Sequence, residues 1–294
     1  MARWPAVTDL AAAADADVMA EWAGLGYYAR ARNLHKCAGI VAHEQGGVFP
    51  TAEADLLKLP GIGPYSAAAI AAICADEVTN VVDGNVERVI SRIFRVQTPV
   101  PKAKPELRAL AGTLACIEDD GHPGDYAQAL MDLGAHVCKP KNPRCEECPW
   151  QNDCAASATG DMTAYPKRAP KTTRPVRYGA VFFIEADGKI WLRQRPDKGL
   201  LGGMVELPGT DWTAEKPAVD IWLRDAPIGR NWQEKPTVVK HVFTHFTLNL
   251  TVYTSVANTP EIIPKFDIHG NLTQLDDYAL PSLMRKAVTV ALTD

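Results

Sequence analysis

The stretch from Leu59 to Ile90 constrains the fold more than any other part of this sequence. It opens with a short turn that has glycines at alternate positions, Gly61 and Gly63, and continues into an Ala- and Ile-rich run typical of a helix. A second helix is expected to begin after Asp83, because aspartate is a favoured helix N-cap. The turn amides and the positive end of the first helix meet at one spot, which predicts a phosphate-binding cradle near a reactive acid. The plainer alternative is a tight helix–helix turn followed by an ordinary capping aspartate.

The two halves of this stretch resemble the helix-hairpin-helix and the catalytic aspartate of the DNA glycosylase superfamily that includes endonuclease III. The resemblance implies that Asp83 is catalytic and that Gly61, Gly63 and Asn85 contact DNA. Bifunctional members of the superfamily have a lysine at the position of Tyr65 and form a Schiff base with the sugar. A phenol cannot form that adduct, so we expect a monofunctional glycosylase that uses water as nucleophile, with Tyr65 lining the pocket.

Residues 24–34, GLGYYARARNL, combine two glycines, two tyrosines and two arginines. These residue types together supply a flexible turn, flat stacking surfaces and cations that pair with phosphate. The alternative is that the aromatic rings belong to the core and the arginines are merely solvated. The segment resembles the GLGYYxRxRNL motif of MutY-type adenine DNA glycosylases. The resemblance implies that Leu25 and Tyr27 enter the duplex beside the lesion and that Arg30 and Arg32 contact DNA.

The seven cysteines fall into two groups. Three lie in apolar helical contexts and are predicted to be buried free thiols, namely Cys37, Cys74 and Cys116. Four lie within residues 138–154 with the spacing Cys138-x6-Cys145-x2-Cys148-x5-Cys154. Prolines and lysines between these four exclude a helix core and favour a metal site.

Four thiolates can bind either zinc or an iron–sulfur cluster. Zinc sites usually have two closely spaced cysteine pairs, whereas this spacing resembles the [4Fe-4S] loop of the endonuclease III/MutY superfamily. The resemblance implies a [4Fe-4S] cluster held by all four cysteines. The cationic residues between them predict phosphate contacts on the same loop, by Lys139, Lys141 and Arg144.

After residue 177 the sequence becomes rich in strand signals. Residues 178–184 and 190–192 are predicted strands joined by a turn at Asp187-Gly188. The following residues, 193–209, resemble the start of the Nudix fold that is found at the C-terminus of MutY proteins. A Nudix hydrolase needs a glutamate-rich helix that binds divalent metal, and no such cluster follows Gly209. We therefore expect a retained Nudix fold without pyrophosphatase chemistry.

Residues 240–248 alternate apolar and polar side chains and are predicted to begin a strand. Within them, Phe243-Thr244-His245 matches the F-S/T-H element by which MutY C-terminal domains recognise 8-oxoguanine. The alternative for His245 is an ordinary polar residue of a strand. The resemblance implies that all three residues recognise the lesion.

The whole sequence therefore predicts an α+β multidomain protein. An all-α helix-hairpin-helix glycosylase domain (1–155) carries the iron–sulfur loop (138–154), a Pro- and Lys-rich linker (156–177) follows, and a Nudix-like α/β domain (178–294) ends the chain. The 294 residues suffice for two cores, and the net charge of −4 requires any DNA-binding face to be a local patch. No signal peptide or membrane-spanning run is present, which indicates a cytoplasmic, bacterial protein that joins the nucleoid through DNA.

The implied function is removal of adenine mispaired with 8-oxoguanine, or with guanine, in base excision repair. The partner is double-stranded DNA with A:8-oxoguanine or A:G mispairs, and the protein is expected to be a monomer. The family carries a general-acid glutamate in an SExMLQQT-like segment upstream of the GLGYY turn, and this chain lacks that segment. We therefore expect Met1 to be an internal start within a longer gene. Two alternatives remain: a truncated mismatch-binding protein without catalysis, and an endonuclease III-like glycosylase/lyase.

Overall fold

The computed structural model describes residues 3–115, 121–170, 173–229, 231–256 and 268–293. Its helices are α1 (Val7–Ala11), α2 (Asp15–Glu21), α3 (Ala29–Glu44), α4 (Glu53–Leu56), α5 (Pro64–Ala75), α6 (Gly84–Ile93), α7 (Lys104–Gly112), α8 (Pro123–Asp132), α9 (Ala155–Thr159), α10 (Val219–Arg224) and α11 (Ser282–Leu292). Its strands are β1 (Val176–Ala186), β2 (Lys189–Gln194), β3 (Val205–Glu206), β4 (Gln233–Glu234), β5 (Val239–Val242), β6 (Thr247–Val256) and β7 (Ile268–Asn271). No helix within the described residues combines the length and the apolar character needed to cross a bilayer.

The chain divides into two compact units. One, the helical unit, consists of Ile40–Lys171, and the other, the sheet unit, consists of Met1–Gly39 together with Thr172–Asp294. The predicted α+β class, with a helical first part and a Nudix-like second part, is confirmed. The division differs from the predicted domain boundaries, which place residues 1–155 together; those boundaries stay a prediction.

In the helical unit, α5 and α8 pack at very short range. Helix α5 begins with Pro64 after the N-cap Gly63, and its buried face consists of small side chains, Ala67, Ala68, Ala71 and Ala72. A Cβ atom on Gly124 of α8 would lie 2.7 Å from the Ala72 carbonyl oxygen, so only glycine permits this approach. Cys37 is a buried free thiol as predicted, but Cys74 is exposed because it lies in the last turn of α5. Cys116 lies outside the described residues.

Helix α6 supplies the centre of the second core of the helical unit. Val86, Val89 and Ile90 are buried and pack with Leu107 of α7. The same helix also buries two arginines, Arg88 and Arg92, at 9% and 1% exposure. Buried arginines need partners, and theirs lie in the cysteine loop.

The predicted linker differs from an extended tether over its first half. Residues 155–159 form α9, and Tyr165 is only 3% exposed and accepts a hydrogen bond at its hydroxyl from Gln97 at 2.7 Å. Arg95 pairs with Asp161 at 2.8 Å. Burial of an aromatic side chain and this ion pair outweigh the repulsion among like charges that the composition suggested. Residues 171 and 172 of the predicted linker lie outside the described part of the chain.

The sheet unit is built on a parallel pair of long strands. Strand β1 pairs with β6 from Val176–Thr247 to Glu185–Val256, and β2 pairs antiparallel with β1. The predicted turn between β1 and β2 is confirmed, with φ of 52° at Asp187 and 73° at Gly188. Helix α11 covers the sheet with Leu283, Met284 and Ala287, and the same core includes Met19, Tyr28 and Ala31 from the beginning of the chain.

One strand prediction is wrong in its extent. The structure ends β5 at Val242 and begins β6 at Thr247, so Phe243, Thr244 and His245 form a turn rather than the start of a strand. The Phe243 amide donates to the Phe246 carbonyl at 2.9 Å and closes the hairpin. The apolar residues that suggested a strand here, Phe243 and Phe246, instead pack against each other across the turn, with ring centroids 4.7 Å apart and ring planes tilted by 34°.

Candidate functional site

Asp83 is fixed at the N-terminus of α6 as the sequence predicts. Its Oδ1 accepts hydrogen bonds from the Asn85 amide at 2.8 Å and from the Val86 amide at 2.7 Å. Its Oδ2 accepts from the Asn85 side-chain nitrogen at 3.0 Å. An anion at a helix N-terminus is electrostatically favourable, so this geometry orients a carboxylate and leaves Oδ2 room for a further partner.

Asn85 links Asp83 to the cysteine loop through Arg88. Arg88 Nη2 donates to Asn85 Oδ1 at 3.0 Å and to the Gly134 carbonyl at 2.6 Å, and its Nε donates to the Cys138 carbonyl at 2.8 Å. Burial lowers the pKa of Arg88, while the nearby Cys138 thiol opposes that shift. A continuous hydrogen-bonded path thus runs from the capping carboxylate to the first cysteine.

Arg92 lies one helical turn further and holds the same loop. Its Nη1 donates to Cys138 Sγ at 3.1 Å and to the Lys139 carbonyl at 2.8 Å, and its Nε donates to the Met162 carbonyl at 2.8 Å. Neither Arg88 nor Arg92 is among the functional residues predicted from the sequence. Their spacing of four residues on an otherwise apolar helix face is the only signal, and their carbonyl partners are remote in sequence.

The four predicted cysteine ligands line one small cavity together with Arg92. None of them forms a disulfide. Burial, and then the three neighbouring cysteines, raise the pKa of Cys145, and burial raises the pKa of Cys148. Crowded thiolates repel one another, so the site needs cations at its centre.

The four cysteines around this cavity supply the donor set that a [4Fe-4S] cluster needs, because each cysteine of such a site binds a different iron. The residues present therefore fit the cluster.

The cationic residues of the loop differ in whether they already have partners within the protein. Lys139 and Lys141 are exposed. Arg144 pairs with Glu147 at 2.8 Å and donates to the His136 carbonyl at 2.9 Å. The loop therefore offers two exposed lysines and one arginine whose charge is already partly neutralised by Glu147. Their contacts with DNA stay a prediction.

The glycine turn before α5 has the predicted open backbone. Gly61 adopts a φ of 83°, and a Cβ on Gly63 would meet no atom within 4 Å, so another molecule can approach the backbone there. Tyr65 follows in the first turn of α5, is 41% exposed and donates from its hydroxyl to Met131 Sδ at 3.4 Å. Met131 lies on α8, so Tyr65 is beside that helix. Asn85, which bonds to Asp83, lies against Gly134 just after the end of α8. Tyr65 and the Asp83 cap therefore both lie next to α8.

The GLGYY turn is strongly exposed at its tip. Leu25 and Tyr27 are 69% and 73% exposed, and Tyr27 adopts a φ of 49° directly after Gly24 and Gly26, whose φ angles are also positive. Tyr28 is buried instead and belongs to the core of the sheet unit. Arg30 lies over the Trp22 ring at 5.5 Å, whereas Arg32 donates to the Gly202 carbonyl. Arg32 therefore already has a hydrogen-bond acceptor within the protein. Its predicted contact with DNA would have to use other donors of the guanidinium group.

The Phe243–His245 turn and Tyr27 line one cavity of about 520 Å³ in the sheet unit. The structure thus brings together the two segments that the resemblance assigned to the lesion. His241 also lines this cavity, edge-on to Phe243 with ring centroids 4.6 Å apart. Burial, and then the Lys286 charge, lower the pKa of His241. This histidine is not among the residues predicted from the sequence, although it lies two residues before Phe243-Thr244-His245.

Three family models match successive parts of the chain. Residues 1–112 match the HhH-GPD superfamily of base excision DNA repair proteins. Residues 138–154 match the iron–sulfur binding domain of endonuclease III, and residues 180–290 match the NUDIX domain. The predicted helix-hairpin-helix, [4Fe-4S] and Nudix-like assignments are thereby confirmed.

Curated relatives are named adenine DNA glycosylase. The Homo sapiens protein is 32% identical over 86% of this chain and 56% of its own length. The Mycolicibacterium smegmatis protein is 37% identical over 60% of each chain, and the Buchnera aphidicola (Schizaphis graminum) protein is 29% identical over 99% of this chain and 84% of its own length. The chain spans less than two thirds of the human, mouse and rat relatives, at 56%, 59% and 58% of their lengths.

Matches of this kind extend over both halves of the chain and include the cysteine loop between them. The same order of helical domain, iron–sulfur loop and Nudix domain is what the described structure displays. The chain therefore belongs to the adenine DNA glycosylase family of helix-hairpin-helix base excision repair proteins.

Proposed function

We propose that this protein removes adenine mispaired with 8-oxoguanine, or with guanine, by hydrolysing the N-glycosidic bond. The observation that carries the proposal is the carboxylate of Asp83, held by three hydrogen bonds at the N-terminus of α6. Its Oδ2 retains accepting capacity. Tyr65 borders the same helix, at the position where a lyase would need an amine.

The proposed reaction begins when adenine leaves the base stack, since the glycosidic bond is not accessible within the duplex. Departure of the base leaves an oxocarbenium-like sugar cation, which the anionic Asp83 stabilises while it orients the attacking water. Tyr65 lines the pocket and limits the access of bulk water. The open backbone at Gly61 and Gly63 binds a phosphate of the same strand and fixes the nucleotide in register.

Cys138, Cys145, Cys148 and Cys154 would hold a [4Fe-4S] cluster, which would supply a metal core that stabilises the folded loop. Arg92 positions Cys138 for it by bonding both its sulfur and the next carbonyl, and Lys139 and Lys141 extend from the loop toward DNA phosphates. In this proposal the cluster loop is a folded basic module that binds the backbone of the duplex, and Arg88 joins that module to the Asp83 cap.

We assign recognition of the opposite base to the cavity between Tyr27 and the Phe243–His245 turn. Thr244 and His245 are exposed, so their hydrogen-bonding groups are available to the edge of 8-oxoguanine. The exposed Leu25 and Tyr27 occupy the space left by the displaced base. The protein acts as a monomer on double-stranded DNA and associates with the nucleoid through it.

One observation favours a second function, mismatch binding without excision. Adenine departs only when it is protonated, so excision requires a general acid. The four acidic side chains before the GLGYY turn already have partners within the chain. Asp9 accepts from the Ala6 amide, Asp15 from His35, and Asp17 and Glu21 both pair with Arg3.

A single-turnover assay on an A:8-oxoguanine duplex separates these functions. Excision predicts release of free adenine and an abasic site that breaks only after alkali. Strand breakage without alkali, together with a covalent adduct trapped by borohydride, would instead indicate a lyase of the endonuclease III kind. Tight binding of the duplex without adenine release would identify the mismatch-binding function and overturn the excision proposal.

A further inference from the structure

The sheet unit contains another cleft, which none of the assigned roles uses. Its volume is about 640 Å³, within the range of small-molecule and nucleotide sites. Three arginines line it from neighbouring strands: Arg177 at the start of β1, Arg193 in β2 and Arg195 just after β2. We call it the arginine cleft, and Glu206, Asp211 and Trp212 complete its lining.

Strand pairing determines the charge of the arginine cleft. Residue Arg193 lies opposite Glu206 in the antiparallel β2–β3 pair. The Glu206 carboxylate is 5% exposed and accepts hydrogen bonds from Arg193 Nε at 2.7 Å and from Arg195 Nη1. One buried carboxylate thus serves two guanidinium groups. Three arginines against two acidic side chains leave a net charge of +1, so the cleft attracts an anion.

Arg195 has an unused donor within this cleft. Its Nε is buried and has no hydrogen-bond acceptor among the described residues. The Arg195 side chain as a whole is 26% exposed, so an acceptor from another molecule can reach the outer edge of its guanidinium group. Phosphate oxygens are strong acceptors, and the planar arginine donors match their geometry.

Aromatic rings connect the arginine cleft to the turn that we assign to the lesion. Trp212 lies beneath the Arg195 guanidinium at 5.8 Å and beside Phe243 and Phe246, with ring centroids 5.6 Å and 6.1 Å away. Arg177 lies over the Phe246 ring at 4.6 Å. The two sites therefore share a wall, and a strand whose base enters the recognition cavity has its backbone nearby.

We propose that the arginine cleft binds a nucleotide phosphate, with Arg195 and Arg177 as its donors. The source that the location favours is a phosphodiester of the lesion-containing strand, a step that rests on the proposed function. A free purine nucleotide presents the same phosphate chemistry. In either case Glu206 positions Arg195 and does not itself contact the ligand.

Binding of an A:8-oxoguanine duplex, followed by fluorescence anisotropy across a salt series, tests the proposal with the full chain. Arg195→Gln should weaken binding about tenfold, as expected for one charge-assisted contact, and should reduce the slope of log affinity against log salt by about 0.9. Arg177→Gln, at an exposed residue outside the Glu206 pair, should reduce the slope in the same way. The matched control is Arg224→Gln on α10, an exposed arginine outside the cleft, which should leave the slope unchanged.

The phosphate itself is identified by uncharged methylphosphonate linkages placed one at a time along the lesion strand. One linkage should weaken binding of the wild-type protein but not of Arg195→Gln. Competition by dGMP in the absence of a positional effect would assign the cleft to a free nucleotide. Each result supports a phosphate site and names its source.

An unchanged salt slope in both Arg195→Gln and Arg177→Gln, with no effect of any linkage or of dGMP, would overturn the proposal. In that case a lower unfolding temperature of Arg195→Gln alone would assign its ion pairs a purely structural role. These readouts need binding only, so they remain informative if adenine excision fails. If the wild-type protein did not bind the duplex but bound dGMP, and Arg195→Gln weakened that binding, the assignment to DNA would be refuted. The assignment of the cleft as a phosphate site would then stand.

Discussion

At the level of single residues, α6 has different tasks at its two ends. Its N-cap Asp83 presents a carboxylate whose position is fixed by backbone amides. Near its end, Arg92 is 1% exposed and donates to the carbonyl groups and the sulfur of the cysteine loop. The same helix therefore supports two sites: the proposed catalytic carboxylate at its start and the cysteine loop near its end. Substitutions at the two residues should separate these tasks.

Asp83→Asn should abolish excision without unfolding the protein. Asparagine is an equally good N-cap, and its side-chain oxygen can accept the same two amide hydrogen bonds, so the free energy of unfolding should change by less than about 1 kcal/mol. The missing negative charge removes stabilisation of the sugar cation, which we expect to slow single-turnover excision at least about 100-fold. Duplex affinity measured in parallel should not fall. A variant that excises at the wild-type rate would remove Asp83 from the mechanism.

Arg92→Met should cause loss of the cluster. Methionine fills much of the same volume but leaves several buried carbonyl groups without donors, each at a cost of roughly 1–3 kcal/mol. Iron per chain and the unfolding temperature should both fall. The matched control is Arg95→Met, just after the end of α6, whose solvent-exposed pair with Asp161 should contribute little to stability. Equal iron contents in the two variants would contradict this assignment.

At the level of elements, the β5–β6 hairpin carries the lesion turn at its tip, and His241 lies in β5 close to that turn. The folded state disfavours protonated His241, because burial and then Lys286 lower its pKa. The unfolded chain therefore binds more protons than the folded chain as pH falls through the ordinary histidine value of 6.5. Stability from this group is present above that pH and is lost below it.

The hairpin should consequently be destabilised by acid through His241. Urea unfolding from about pH 7.5 to about pH 5.5 should show a loss of stability in the wild-type protein that is smaller in His241→Gln. The control His245→Gln removes an exposed histidine from the same hairpin and should retain the wild-type pH dependence. Parallel curves for wild-type protein and His241→Gln would show that His241 is not the titrating group.

Local signals made most elements predictable from the sequence. The Asp83 cap, the Pro64 start of α5 and the Asp187-Gly188 turn depend on neighbouring residues, so their patterns are readable. The Phe243 turn carries the pattern of a strand because apolar residues continue through it, and only the structure shows that Phe243 and Phe246 pack against each other there. The packed Tyr165 was assigned to a linker because its partners, such as Gln97, are distant in sequence.

The candidate site was predictable to the same degree. Its cysteines, its aspartate and its turn motifs carry distinctive spacing, and the resemblance to known glycosylases located them. Arg88 and His241 could not be predicted because their roles depend on tertiary contacts. Arg88 donates to backbone carbonyls such as that of Gly134, and His241 packs against the Phe243 ring. The arginine cleft was missed because strand register, rather than sequence proximity, brings Glu206 opposite Arg193.

At the level of the whole molecule, the cluster loop belongs to the helical unit alone. Cys145→Ser should therefore lower the stability of one unit and spare the other. Metal-binding energy is folding energy in such loops, so we expect loss of the brown colour and of about four irons per chain, with an earlier first thermal transition. The transition of the sheet unit, monitored through its tryptophans, should stay in place. A uniform shift of both transitions would show that the units unfold together.

The parallel pair of β1 and β6 has a kinetic consequence. Residue Val176 pairs with Thr247 and Glu185 pairs with Val256, so the central contact of the sheet unit closes a loop of about seventy residues. The core also includes Met19 and Tyr28, which are synthesised early, whereas the strands that they pack against are synthesised late. Such non-local contacts make folding slow. During synthesis the apolar strand β1 emerges from the ribosome long before its partner, and the nascent chain must stay unaggregated over that interval.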